Sequence, residues 1–379
     1  MEELKIRIFQ PNVRQYRVSL FEGVGQRYDG CVELCASDEL WEGGHSSPVQ
    51  NVKMDYAHSN VKIGPFTWQK GFSLRGLVPK RDVVVICGDV KNLAMMWIAA
   101  KARFLRIAVV WWGHHKTAGA RDWRVSVRVW VMKHLARTIL FYTKRGIKWY
   151  GARGNGVEHV FATENALDLK PMVQASEKWT ANRISRFLEE RGLKDKAIYL
   201  FCSRLMQKVK LDLAIRAFSR VAHSTSEKAI FVIIGDGPEL DRYKRLAEEL
   251  KVGNQMKWLG AMFSQDEMAP WFLSAKALVY PGAIGLSIFH AFSYGLPVIT
   301  HGNADNQMPE FAAMIDGQTG LLFNEDDDVD LANKMCLIVA DENRRRNMAA
   351  FARQHVFSKY TMESMVDNFC RAIEDARGN

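Results

Sequence analysis

Residues 278–300 read LVYPGAIGLSIFHAFSYGLPVIT, and the changes of pattern within them decide the fold. Leu278-Val279-Tyr280 closes a short apolar run bounded by Pro281 and Gly282, which predicts a buried strand. Gly285-Leu286-Ser287 opens an amphipathic helix with Ile288, Phe289, Ala291 and Phe292 on its inner side. Gly295-Leu296-Pro297 stops that helix, and Val298-Ile299-Thr300 is the next strand. Strand, glycine turn, helix and strand in this order form a unit of parallel sheet. The turn at the carboxyl end of such a strand faces the ligand crevice. The helix N-terminus offers N–H groups and partial positive charge that suit a phosphate. Small residues at Gly282, Ala283 and Gly285 admit a ligand close to the backbone. A tight turn that binds nothing has the same signature.

The alternation extends in both directions. Towards the C-terminal side of the chain's middle, apolar runs at 197–202, 230–234, 256–260 and 320–323 predict strands, with helices near 211–221, 239–250 and 266–274 between them. Two helices, near 328–355 and 361–375, close the chain. In the first half, strands are expected at 6–9, 31–35, 82–87, 107–112, 140–143 and 160–163, with a helix near 92–104. The first strand feeds a polar loop at 10–17 that contains Tyr16 and Arg17, a usual place for a ligand-facing segment. The strand at 107–112 ends in Gly113-His114-His115-Lys116, which sets two histidines where either chemistry or strand capping uses them. A polar, helix-forming stretch near 171–195 joins the halves. The expected class is α/β, with two Rossmann-like doubly wound domains facing each other across a cleft. Their expected extents are 1–170 and 171–355, with a final helical segment at 356–379.

The chain has 379 residues and a net charge of +10, and that excess is uneven. Residues 1–165 hold 25 Lys and Arg against 14 Asp and Glu, whereas the remainder is close to neutral. The first half is therefore expected to meet an anionic partner: a membrane surface, a phosphorylated acceptor or nucleic acid. Residues 121–148 sharpen the point. Arg121, Arg124, Arg128, Lys133 and Arg137 fall near helical spacing, with Trp123, Val127, Trp130, Val131 and Leu135 as the apolar side. A basic helix with aromatics suits an anionic membrane surface, and equally a core helix with a solvated basic face. No apolar run approaches the length of a membrane span, and Met1-Glu2-Glu3 is read as an acidic start and no signal peptide. Six scattered cysteines without a CxxC pair read as reduced thiols in a cytoplasmic protein, and no metal site is visible.

The second half resembles a known family. Ser203-Arg204-Leu205, Ile234-Gly235-Asp236-Gly237-Pro238, Trp258-Leu259-Gly260, Pro281 to Ile299, Pro309-Glu310 and Gly317 to Leu322 stand in the order and spacing of retaining glycosyltransferases of the GT-B fold, family GT4, glycosyl transferases group 1. The resemblance is close over about 197–355 and loose in the first half. It implies a nucleotide-sugar donor in the C-terminal domain. It implies that Arg204 and a lysine neutralise the donor diphosphate as leaving-group charge builds. Backbone amides at Gly285, Leu286 and Ser287 would meet phosphate oxygens, Gly235 and Leu259 would lie along the donor, and Glu310 would be a further donor contact. His114 would touch the donor sugar, with His115 as its rival. Tyr16, Arg17 and His115 would stand on the acceptor side.

Two positions depart from the family pattern. Gly282 and His290 occupy the places where the family often has two glutamates, a P-G-x-x-G-L-S…H variant of the motif. Sugar recognition then falls to other groups, such as backbone amides near 282–285, while His290 could bond a ribose hydroxyl. Val209 stands where the family's lysine often stands; Lys210 is taken as the substitute, with Lys208 as the alternative.

The expected activity is retaining transfer of a hexosyl group from a nucleotide-diphosphate sugar, such as a UDP-sugar, to a hydroxyl of a glycan or lipid-linked acceptor in bacterial surface polysaccharide biosynthesis. It needs no cofactor and no metal. The expected location is the cytoplasm, with peripheral contact at the inner face of the membrane through the basic half. A sugar-nucleotide epimerase of the same fold, or a non-catalytic nucleotide-sugar-binding subunit, are the alternatives. A nucleic-acid partner has no motif in its favour.

Overall fold

The computed structural model describes residues 4–38, 45–57, 59–115, 122–224 and 229–378. Lys116, Arg121 and the Met1-Glu2-Glu3 start lie outside the described residues. The chain divides into two compact units, one of 1–165 with 362–379, the other of 166–361.

The first unit runs β1 (Ile6–Asn12), α1 (Val18–Arg27), β2 (Val32–Ser37), β3 (Lys53–Ala57), β4 (Ser59–Ile63), β5 (Phe66–Lys70), β6 (Val83–Cys87), α2 (Leu93–Phe104), β7 (Ala108–Gly113), α3 (Asp122–Leu135), β8 (Thr138–Phe141), α4 (Lys144–Gly151) and β9 (Val160–Ala162). Among the described residues its sheet has seven parallel strands in the order β3-β2-β1-β6-β7-β8-β9, with β4 and β5 as a separate hairpin. Val83 to Ile86 and Val109 to Trp112 are almost wholly buried, as expected of strands covered on both faces. The order reverses between β1 and β6. Strands β6, β7 and β8 are sequential neighbours, so right-handed crossovers set α2 and α3 on one face of the sheet.

The second unit runs α5 (Lys170–Glu177), α6 (Ala181–Glu189), β10 (Ala197–Cys202), α7 (Leu211–Ser224), β11 (Ala229–Ile234), α8 (Leu240–Glu249), β12 (Met256–Trp258), α9 (Gln265–Ser274), β13 (Ala277–Tyr280), α10 (Ser287–Ser293), β14 (Val298–His301), β15 (Gly320–Phe323), α11 (Asp328–Ala340) and α12 (Glu342–Lys359). Among the described residues its sheet has six parallel strands, ordered β12-β11-β10-β13-β14-β15, and reverses between β10 and β13. The last helix, α13 (Met362–Arg377), returns to the first unit and packs on α1 and on β6 to β9. There Thr138 donates to Asp375 at 2.5 Å, Tyr28 donates to Glu374 at 2.7 Å, and Arg27 pairs with Asp367.

Two expectations are corrected. The segment after residue 327 holds three helices, because the Asp341 carboxylate accepts from the Arg344 N–H and starts α12 anew. On α3 the inner side is not the tryptophan side. Arg128 and Met132 are buried, while Trp123, Val127 and Trp130 are exposed. Met132 and Val129 pack against the core together with Val131 and Leu135 of the expected side, and Arg128 among them finds carbonyl partners.

Candidate functional site

The reversal between β10 and β13 in the second unit gathers most of the residues expected to bind donor. In an open α/β sheet, neighbouring strands whose connections leave in opposite directions open a crevice at their carboxyl ends. Here β10 ends at Cys202 and continues through Ser203, Arg204 and Leu205; β13 ends at Tyr280 and continues through Pro281 to Leu286. Two side chains tie these ends together. The Ser287 hydroxyl donates to the Cys202 carbonyl at 3.2 Å, and the Ser203 and Tyr280 hydroxyls lie 3.2 Å apart. Arg204 is exposed at this edge.

Glycine is required where backbones meet. A Cβ on Gly235 would stand 1.9 Å from the Ser203 carbonyl oxygen, and φ at Gly235 is 149°. The turn after β11 therefore lies directly against the end of β10, with Ser203 N–H bonded to Ile234 and Leu205 N–H to Asp236. Gly235 N–H in turn donates to the Gly260 carbonyl at 2.7 Å, which brings half-buried Leu259 to the same edge. Gly282 is as tightly held: a Cβ there would lie 2.5 Å from the Lys208 carbonyl oxygen and 2.9 Å from Val209 Cα. A glutamate at 282 is thus incompatible with the loop at 206–210 as it runs here.

Gly285, Leu286 and Ser287 begin α10. A Cβ on Gly285 would stand 4.0 Å from Glu310 Oε2, so the buried Glu310 carboxylate lies beside this turn. Gln307, a residue the sequence did not single out, pins the turn. Its Oε1 accepts from the Ile284 N–H at 2.7 Å, and its Nε2 donates to Thr300 Oγ1 and the His301 carbonyl at 3.0 and 2.9 Å. His290, one turn into α10, is half-buried with its ring edge-on to Phe272, and burial holds it neutral with a pKa of about 4. Lys210 is the outlier. It takes a left-handed backbone (φ 51°), and its ammonium donates to Asp326 at 2.6 Å and to Glu325 at 3.3 Å. Burial acts to lower its pKa, and the two carboxylates outweigh that and raise it. Lys208 is exposed.

In the first unit, the reversal between β1 and β6 collects a second group. Arg17 lies with its guanidinium 4.6 Å from the Trp112 ring, 5.2 Å from Tyr142 and 5.3 Å from Tyr16, close enough for cation–π attraction. The His114 ring meets Tyr142 edge-on at 4.5 Å. Burial, then the Arg128 and Arg17 charges, pull the His114 pKa down to about 4. His115 turns elsewhere, with its ring 5.3 Å from Trp149 and 6.3 Å from Phe141. Arg128 reaches the strand ends from α3 and donates to the Gly88 carbonyl at 3.1 Å and the His114 carbonyl at 3.4 Å. Tyr142 and Arg128 were not singled out as site residues, although Arg128 sits at i and i+4 from Met132 on the apolar stripe of α3.

Residues 184–355 match the family model described as Glycosyl transferases group 1. Among curated proteins, the chain is 25% identical to N-acetyl-alpha-D-glucosaminyl L-malate synthase of Bacillus anthracis over 49% of this chain and 48% of that one. It is 24% identical to poly(glycerol-phosphate) alpha-glucosyltransferase of Bacillus subtilis over 69% of this chain and 36% of that one. The chain thus spans less than half the length of either relative. Among solved structures, Anabaena HepE in complex with UDP-glucose aligns with a TM-score of 0.69 at 14% identity, over 98% of this chain and 99% of that one. That likeness shows the GT-B fold. The match to the glycosyl transferases group 1 model thus takes in nearly the whole of the second unit.

Proposed function

We propose that the chain is a retaining glycosyltransferase that takes a sugar from a nucleotide-diphosphate donor. One observation carries the reading: Arg204, Gly235, Gly282, Gly285, Ser287 and Glu310 come from the segments that follow four strands, β10, β11, β13 and β14, and converge on the β10–β13 reversal, where a doubly wound sheet binds nucleotide. Arg204 neutralises the diphosphate as the glycosidic bond breaks, so its contribution is greater in the transition state than in the ground state. Lys210, released from Asp326 and Glu325, or the exposed Lys208, supplies the second cation. Protein cations and backbone amides carry this role without a metal or cofactor in the proposal. His114, neutral and held against Tyr142, contacts the sugar. Gln307 keeps the 282–286 turn in shape.

The donor class is supported by HepE, whose structure holds UDP-glucose. Retention is supported by the alpha-configured products named for both curated relatives. The acceptor is proposed to be a glycan or lipid-linked hydroxyl met by the first unit, as in surface polysaccharide assembly at the cytoplasmic side of a membrane. Thermal melting with panels of UDP- and GDP-sugars tests the donor. A donor at about a hundred times its Kd should stabilise the fold by about 2.7 kcal/mol. No shift with any nucleotide sugar removes the reading. A shift without transfer to any acceptor leaves a binding subunit instead.

A further inference from the structure

We propose that the face of the first unit formed by α2 and α3 docks on an anionic lipid surface. Helix α2 presents Trp97, Lys101 and Phe104 outward, at spacings of four and three; α3 presents Trp123, Val127 and Trp130 at the same spacings. Each set is one stripe of its helix. Trp97 is 58% exposed, Phe104 86%, Trp123 59% and Trp130 61%. At about 200 Å² for a whole aromatic side chain, these four leave roughly 500 Å² of ring surface in water. That matches the largest apolar patch of a typical monomer, about 300–600 Å², a size at which such patches are often functional. The two helices are neighbours on one face of the sheet, so the stripes lie side by side.

The charge around the stripes selects the occupant. Residues 101–150 hold twelve Lys and Arg and a single acid, Asp122. Lys101, Arg103, Arg106, Arg124 and Lys133 are exposed on these two helices and just beyond α2. A second copy docked through the same face would set these cations against their own kind. A polyanion alone would leave the tryptophans in water. An anionic bilayer satisfies both sets: phosphates meet the cations, and indole rings settle at the headgroup level, their favoured depth. No helix among the described residues is long and apolar enough to cross a membrane, so the contact is with the surface. The proposal rests on the first unit and stands or falls apart from the donor reading.

The test is cosedimentation of the full chain with vesicles of phosphatidylcholine, with or without phosphatidylglycerol, alongside quenching of tryptophan fluorescence by brominated phosphatidylglycerol. Binding is expected only with the anionic lipid, with quenching. The exposed triple variant Lys101→Gln, Arg124→Gln and Lys133→Gln should bind about a hundredfold more weakly, at about fivefold per cation. The Trp97→Ser, Trp123→Ser, Trp130→Ser variant should lose quenching by brominated lipid while melting at the wild-type temperature. Four results would each overturn the proposal: equal binding to both vesicles, unchanged binding by the cation variant, binding to heparin but to neither vesicle, or a stable dimer in sedimentation that the tryptophan variant dissolves.

Discussion

Lowering the pH from about 7 to about 5 should destabilise each unit through one histidine, His114 in the first and His290 in the second. Both are held neutral in the fold with a pKa of about 4, His290 by burial and His114 by burial plus the neighbouring Arg128 and Arg17 charges. In the unfolded chain each would titrate near 6.5. The unfolded state therefore binds the proton that the fold refuses. This contribution is fully present above the unfolded pKa, is lost as pH falls from about 6.5 towards 4, and changes no further below that. At about pH 5 the gap to the unfolded pKa is about 1.5 units, or about 2 kcal/mol per histidine. His301 and His355 are also held down by burial and share the trend, so the raw slope does not isolate either site. Comparison with His290→Gln and His114→Gln does. Urea unfolding of wild type and variants, followed by tryptophan fluorescence at both pH values, should show each variant losing about 2 kcal/mol less than wild type on acidification. Equal losses in wild type and variant would refute the argument that these imidazoles are kept uncharged by the fold.

Four further outcomes are expected. Arg204→Ala should lower kcat/KM for transfer by about a hundredfold or more; unchanged turnover in a folded variant would remove it from the site. Gly282→Ala should destabilise the second unit by about 1–3 kcal/mol and weaken donor binding, since its Cβ meets the Lys208 carbonyl at 2.5 Å, and calorimetry with a nucleotide sugar would measure both. Arg128→Met should cost about 2–4 kcal/mol, since it strips donors from the Gly88 and His114 carbonyls, and should raise the His114 pKa in an NMR titration. Lys210→Met should reduce transfer more than Lys208→Met if Lys210 leaves Asp326 for the diphosphate; the reverse order would assign the role to Lys208.

The parallel alternation was readable because buried strands such as Val83–Cys87 and Ala229–Ile234 are unbroken apolar runs bounded by glycine or charge. A reversal was expected of a doubly wound sheet, but that β10 and β13 flank it was not readable, since strand order is set by non-local pairing that no local pattern encodes. The segment between residues 37 and 81 resisted for a similar reason: β3 is an edge strand of mixed polarity, and β4 and β5 form an exposed hairpin. On α3 the tryptophans drew the eye. Burial went instead to Met132 and to Arg128, which is satisfied by two carbonyls at the strand ends. Gln307 carries no motif at all; its importance lies in three hydrogen bonds that exist only after the chain has folded.

Because α13 completes the first unit, that unit is made in two instalments on the ribosome, with the whole of 166–361 synthesised between them. The second unit is contiguous and is able to fold as soon as it emerges. The first must wait with the ground that Phe369, Glu374 and Asp375 will cover still bare, including the edge of Trp112 and the hydroxyls of Thr138 and Tyr28. A released chain that ends at residue 361 should therefore hold a protease-resistant second unit beside a first unit that is still cleaved, whereas both units of the full chain should resist.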